Sequence, residues 1–436
     1  VTEADEPHPD SSPENARRAM SRRRARKVTA TIAVLIVAAV GGYTAAAATA
    51  ALPDAELVLA AEQKPIVADA APAQAAVDAQ ALPTAIGWAE SEDVWSNDEA
   101  AYSLASISKL VTVLVAQEAR PLAPGTDGET IVWSDADAAL QAGYIARDGV
   151  AYPIPVGTEV TERQMLTLIF LPSANDFAAA YARSVFGTDE AFLAAVDEWK
   201  KAQGLDSLKF VEPTGMDEGN RANAADLVHI ARLTLNNPTI TEFTNLQSAD
   251  MPWGIGTIEN TNPLLGELPD MVGLKTGRSS SAGFNLIAAQ RVDAHGREVT
   301  KISVTLGRGS VEERAQSGRD MLAAMEPLPQ LVPLLDAGTE IGEAVSVTGQ
   351  REPLETTAAA SAVLLPGEAA SFEAVLGEAA TTHPDQAETA TIDPDQAGSV
   401  EIMSPTGSEL VPVAQRGTFT EPDLWWRVTH PVSLWG

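Results

Sequence analysis

The chain has 436 residues, 45% of them apolar and 20% charged, enough to bury a sizeable core. Lys and Arg number 29 against 60 Asp and Glu, a formal net charge of −31, which argues against a general nucleic-acid binder because such a protein needs a positive footprint. There are no cysteines, so a disulfide framework and cysteine-based metal sites are excluded.

Charge is uneven along the chain. Residues 1–27 carry Arg17, Arg18, Arg22, Arg23, Arg24, Arg26 and Lys27, and residues 28–53 carry no charge at all. The polar, basic stretch 1–27 predicts a disordered cytoplasmic tail. The uncharged run predicts a transmembrane helix over 28–50, long enough as a helix to cross about 30 Å of hydrocarbon. The basic cluster should stay cytoplasmic, with the rest extracellular. A cleaved signal peptide, which would leave the chain secreted, is the rival because the run ends in small residues. Residues 51–80 are rich in Ala, Pro and Gln and read as a linker.

The main folded region is expected over 81–330. Short strand-like pieces (TAIGWAE, VWSND) come first, followed by helix patterns at 105–119, 161–186, 188–203 and 223–236. Strands are expected at 271–276, 283–290 and 299–307, then a helix at 310–325. Strands, a helical middle, then strands and a helix predict an α/β core with a helical insertion. Composition changes after 330: residues 331–436 contain no lysine and only Arg351, Arg416 and Arg427. Short strand-like runs recur there between Gly, Pro and Asp turns, predicting a small C-terminal β-rich domain, with residues 383–398 as a loop. The Trp425–Trp426 pair near the end is expected to pack in a core.

Three polar interruptions carry chemistry. Ser106 and Lys109 lie at i and i+3, so on a helix they share a face. A lysine desolvated beside a hydroxyl can act as base, and nearby helix N-terminal N–H groups can hold an oxyanion. Ser173 and Asn175 sit between two apolar helical runs, where Pro172 favours a break. Lys275, Thr276 and Gly277 end a short apolar strand; the cation and hydroxyl suit an anionic group, and Gly277 clears space at a strand edge. Each piece alone could be an exposed lysine, an inter-helix loop or a strand-edge turn. In this order they form a known three-part signature.

The stretch 80–330 resembles the serine D-alanyl-D-alanine carboxypeptidases, the low-molecular-weight penicillin-binding proteins of peptidase family S11. Ala105-Ser106-Ile107-Ser108-Lys109 resembles the family's Ala-Ser-x-Thr-Lys, Ser173-Ala174-Asn175-Asp176 its Ser-Gly-Asn-Asp, and Gly273-Leu274-Lys275-Thr276-Gly277 its Gly-Leu-Lys-Thr-Gly. Phe210 to Met216 resembles Phe-x-Asn-Pro-x-Gly-Leu, and Asn260 to Leu265 resembles Asn-Thr-Asn-x-Leu-Leu. The departures are Ser108 for Thr, Ala174 for Gly, Glu212 for Asn, and Arg278-Ser279 where a Thr commonly follows.

The resemblance implies a serine β-lactamase/transpeptidase-like fold, an antiparallel sheet flanked by helices with a helical insertion. It implies Ser106 as nucleophile, Lys109 as its base, Ser173 as proton relay and Asn175 as a holder of the substrate amide and Lys109. Lys275 and Thr276 would bind the terminal carboxylate beside Gly277, and the backbone N–H groups of Ser106 and Arg278 would form the oxyanion hole. Substrates would be peptidoglycan stem pentapeptides losing their terminal D-Ala, β-lactam antibiotics would act as covalent inhibitors, and neither cofactor nor metal is called for. The alternatives are a DD-transpeptidase or endopeptidase on the same fold, or a non-catalytic wall-binding protein. A β-lactamase would need a deacylating glutamate in a Glu-x-x-Leu-Asn setting, which the sequence lacks. Arg314 matches a family arginine but is expected in a surface ion pair. His229 and His295 are expected to be structural or at the surface.

Overall fold

The computed structural model describes residues 13–60, 64–376, 389–390 and 397–435. The chain divides into two compact units, one formed by residues 1–65, 333–360 and 371–436, the other by residues 66–332 and 361–370.

The first unit begins with helix α1 (Pro13–Thr49). Helical structure therefore runs through much of the basic stretch expected to be disordered; Arg, Ala, Met and Lys are good helix formers, and the apolar run extends the same helix. Its apolar residues Ile32, Val34, Leu35, Ile36, Val37 and Val40 are all exposed, and the span 17–49 is long and apolar enough to cross a membrane. The expected linker is also corrected. It contains strand β1 (Glu56–Leu59) in this unit and, in the second, helix α2 (Ala71–Asp78). Ala-rich sequence reads as spacer by composition, yet Ala73 and Val77 are fully buried.

In the second unit β2 (Thr84–Trp88), β3 (Val94–Ser96), β4 (Met271–Ser279), β5 (Gly283–Ala294) and β6 (Arg297–Arg308) form an antiparallel sheet in the order β4-β5-β6-β2-β3. Alternation divides β5 between two cores. Ile287 and Ala289 face the helical insertion with Ile302, Val304 and Ala85, whereas Leu286 and Ala288 face Ala315 and Leu322 of the closing helix Val311–Ala324. The insertion comprises α3 (Ser108–Ala119), α4 (Asp135–Ile145), α5 (Glu162–Phe170), α6 (Asn175–Phe186), α7 (Asp189–Ala202) and α8 (Ala224–Leu235); α9 is the closing helix. Capping boxes at Ser134 and Thr161 start α4 and α5, and Thr188, Asn223 and Ser310 cap α7, α8 and α9. Residues 361–370 return to this unit: Val363 and Leu365 join Trp88 and Trp95 in its core, and Glu368 pairs with Arg297 through two contacts of 2.5 and 2.9 Å. The sheet-and-helix architecture is that expected from the sequence.

Back in the first unit, β1, β7 (Glu340–Val345), β8 (Arg351–Thr356), β9 (Ala369–Leu376, which belongs to this unit from residue 371 on), β10 (Gly398–Ser404) and β11 (Gly407–Gln415) lie in one sheet in the order β1-β7-β8-β11-β10-β9. Leu354, Val400, Ile402, Val411 and Val413 are buried along it. The loop expected at 383–398 falls outside the described residues apart from 389–390 and 397–398. The chain ends in two short helices, α10 (Leu424–Thr429) and α11 (Pro431–Trp435), packed on α1. The Tyr43 hydroxyl donates to the Val428 carbonyl at 2.7 Å, and Arg427 donates to the Ala50 carbonyl at 2.8 Å. The expectation of a core tryptophan pair is corrected here: Trp425 is 75% exposed and Trp426 stacks on His430, because Arg427 and Leu434 take the buried positions.

Candidate active site

The three motifs converge. A 3₁₀ turn at Ala105–Ile107 leads into α3, leaving Ser106 half-buried and Lys109, one turn on, fully enclosed. Lys109 Nζ lies 2.9 Å from Ser106 Oγ, 2.6 Å from Asn175 Oδ1 and 2.7 Å from the Thr214 carbonyl. The last two partners only accept. A neutral amine has two N–H groups, and these contacts use both, so its lone pair is left facing the serine hydroxyl. Burial drives Lys109 down from the usual 10.5 to about 7, opposed by the negative charges of Glu212 and Asp176. A neutral base is thereby accessible near neutral pH.

Ser173 closes the α5–α6 junction and Asn175 opens α6. The Asn175 amide donates to the Val150 carbonyl at 2.7 Å, and the buried Asp176 carboxylate accepts from Gln141 and the Tyr152 amide. Ser173 has a φ of 69° and Ala105 one of 47°, left-handed conformations that cost L-residues roughly 1 kcal/mol or more each. Ala105 precedes the nucleophile and Ser173 is itself the second site serine, positions where such strain concentrates.

Lys275 on β4 reaches Ser173 Oγ at 3.0 Å and the Thr276 carbonyl at 3.1 Å, and it is 1% exposed. Burial comes first among the causes that push it well below 10.5, and the positive charges of Lys109 and Arg314 push it the same way. Thr276 shares a 2.6 Å hydroxyl contact with Thr261. Gly277 has a packing reason as well: a Cβ there would lie 2.6 Å from the Leu104 carbonyl, so a larger residue would push β4 away from the nucleophile turn. Arg278 is exposed, with its guanidinium 5.5 Å from the Phe284 ring centre.

Arg314 departs from its expected surface ion pair. It is 6% exposed, its Nε is buried without a partner among the described residues, and its guanidinium donates to the Thr261 carbonyl at 3.3 Å. Its guanidinium faces the same Phe284 ring as Arg278. Lys275, Arg278 and Arg314 thus gather positive charge beside the edge strand β4. His229 is half-buried against Arg232, and His295 is exposed in the β5–β6 turn.

Two further supports hold the site, of which the sequence analysis singled out only the stretch Phe210 to Met216. Asn285, buried in β5, donates to the Ser103 carbonyl at 2.9 Å and accepts from the Gly307 amide, tying the sheet to the strand before Ser106. Its signal was a polar residue inside the apolar run FNLI. The loop 211–220 is fastened to α3: Thr112 donates to the Pro213 carbonyl at 2.7 Å, and Asn220 donates to Ser108 at 3.0 Å. Gly215, with a φ of 81°, lies against Ala105, where any Cβ would collide with the carbonyl.

Residues 94–309 match the model of the S11 peptidases, described as D-alanyl-D-alanine carboxypeptidase. Among similar proteins, the D-alanyl-D-alanine carboxypeptidase DacF of Bacillus subtilis is 25% identical over 260 residues, 58% of this chain and 63% of the relative. DacD of Escherichia coli is 29% identical over 46% of this chain and 50% of the relative. A D-alanyl-D-alanine endopeptidase of E. coli is 28% identical over 42% of this chain and 58% of the relative. The chain thus spans half to just under two-thirds of these relatives. Two solved structures share the fold: DacD from Francisella tularensis (TM-score 0.52, 18% identity, 83% of this chain and 97% of that one) and a variant of the Streptomyces K15 DD-transpeptidase (TM-score 0.50, 21% identity, 56% and 96%). Residues 94–309, within which the three motifs assemble into one site, match peptidase family S11.

Proposed function

We propose that the chain is a serine D-alanyl-D-alanine carboxypeptidase acting on peptidoglycan stem pentapeptides, with residues 81–330 as catalytic domain and 331–436 as an accessory β-rich domain. The observation that carries this reading is the amine of Lys109, its two N–H groups engaged and its lone pair directed at Ser106. Neutral Lys109 takes the Ser106 proton as Oγ attacks the carbonyl carbon between the two D-alanines. The oxyanion collects on the backbone N–H groups of Ser106 and Arg278. The C–N bond then breaks, and the proton passes from Lys109 through Ser173 to the departing amine of D-Ala. Water, deprotonated by Lys109, cleaves the acyl-enzyme and restores Ser106. Lys275, Thr276 and Arg314 would hold the terminal carboxylate, with Asn175 on the substrate amide. β-Lactams would acylate the same serine.

Similarity to endopeptidases supports a second reading, cleavage of cross-linked peptides, and assays with a pentapeptide against a cross-linked dimer separate the two. We further infer that α1 is an uncleaved single-pass anchor with the catalytic domain on the wall side. Supporting this, Leu424, Trp425, Val432 and Trp435 expose apolar surface near Tyr43, at the end of the apolar run. The deciding experiment is mass spectrometry after labelling with a fluorescent penicillin. One adduct on Ser106 is expected, absent from Ser106→Ala; an adduct elsewhere, or none, would end the reading.

A further inference from the structure

Glu212 stands where the family pattern has Asn, and its surroundings are unlike those of a surface carboxylate. Its Oε2 accepts from the Thr214 amide at 2.8 Å and the Thr214 hydroxyl at 2.7 Å. Its Oε1 accepts from the Gly215 amide at 2.5 Å, from Asn220 Nδ2 at 3.2 Å and from the Asp217 amide at 3.4 Å. Both oxygens therefore face donors. An amide side chain would turn its own NH₂ group against one set of them. The turn held in this way presents the Thr214 carbonyl to Lys109, one of the two acceptors that fix the direction of the amine lone pair.

We propose that Glu212 is a positioning residue for the acylation step: its carboxylate shapes the 212–217 turn so that the Thr214 carbonyl aims Lys109 at Ser106, and its negative charge acts on the same amine. The proposal rests on the function proposed above. The groups facing Lys109 are few. Asp176, with Asn175, comes from α6, and Lys275 comes from β4; Tyr144 of α4, itself pushed up to about 12 chiefly by burial and then by Glu212, adds a hydroxyl beside Thr214. Glu212 and Asp176 both favour the ammonium form of Lys109, so removing the Glu212 charge favours the neutral amine at lower pH. The positional and electrostatic effects therefore act in opposite directions. The maximal rate should fall because the lone pair loses its alignment, while the acid side of the pH profile should move down.

The test measures the second-order rate of penicillin acylation from pH 5 to pH 10 in the full chain, for wild type, Glu212→Gln, Glu212→Asn and Glu212→Asp, with thermal unfolding as a check of the fold. In Gln and Asn variants the plateau rate should drop about tenfold or more, and the acid limb should move to lower pH by about one pH unit. The alkaline limb should not move. Glu212→Asp, which keeps the charge, should return the acid limb to its wild-type position. A uniform loss of rate with an unmoved acid limb, an unchanged profile, or loss of the fold in both neutral variants would overturn the proposal by making Glu212 scaffold or bystander. Absence of acylation in the wild type would instead overturn the function proposed for the chain.

Discussion

Two buried amines stand in this site, and their surroundings differ in sign. Lys109 lies in the helical insertion with the carboxylates of Glu212 and Asp176 opposing the effect of burial. Lys275 lies on the edge strand, where burial, Arg314 and the protonated form of Lys109 all disfavour its charge. The first environment suits a base poised near neutrality, since proton transfer is most effective when the base titrates near the working pH. The second leaves a cation short of counter-charge, which an incoming carboxylate would supply. The same side chain is thus given two roles by what surrounds it.

Breaking the base should have the largest effect. Lys109→Ala is expected to lower the rate of Ser106 acylation by about 10² to 10⁴, measured as penicillin labelling at pH 8, with the fold retained. Breaking the anion site should separate binding from chemistry. Lys275→Ala is expected to raise KM for a carboxylate-ended peptide about 30-fold or more, and that penalty should shrink when the peptide ends in a neutral amide. Equal penalties for both peptides would show that Lys275 acts through Ser173 alone. Arg314→Gln sharpens the comparison, with an increase in KM of about tenfold for the same acid and little change for the amide.

The last effect is on stability. Burial holds Lys109 at about 7 in the folded chain against 10.5 unfolded, so between these values the unfolded chain carries the extra proton. Stability should therefore rise as pH climbs from about 7 towards 10.5, a gain of at most a few kcal/mol. Urea denaturation across that range should show a shallower rise in Lys109→Met, with Lys275 continuing to contribute.

The sequence made the three motifs legible because each joins a reactive side chain to a structural break: Ser106 before a helix, Ser173 after Pro172, Lys275 on a strand bounded by glycine. The order of strands and helices over 84–325 was readable from apolar periodicity. What lay hidden was carried by backbone groups and distant returns of the chain. The Thr214 carbonyl has no signature in residue type, so the third partner of Lys109 could not be foreseen. Ala73 and Val77 looked like spacer because small residues give a weak pattern, yet they pack beneath Trp95 and Val363. Arg314 was read as a surface cation because charge normally seeks water; only tertiary packing places it under the Phe284 ring.

The central claim is that Lys109 titrates near neutrality, so that its free amine is available at the working pH. Carbon-13 labelling of lysine at Cε, followed by NMR titration, reads each amine directly. The resonance that disappears in Lys109→Ala should titrate near 7. If that resonance instead moved only near 10.5, Lys109 would be an ammonium ion throughout the working range and could not take the proton from Ser106.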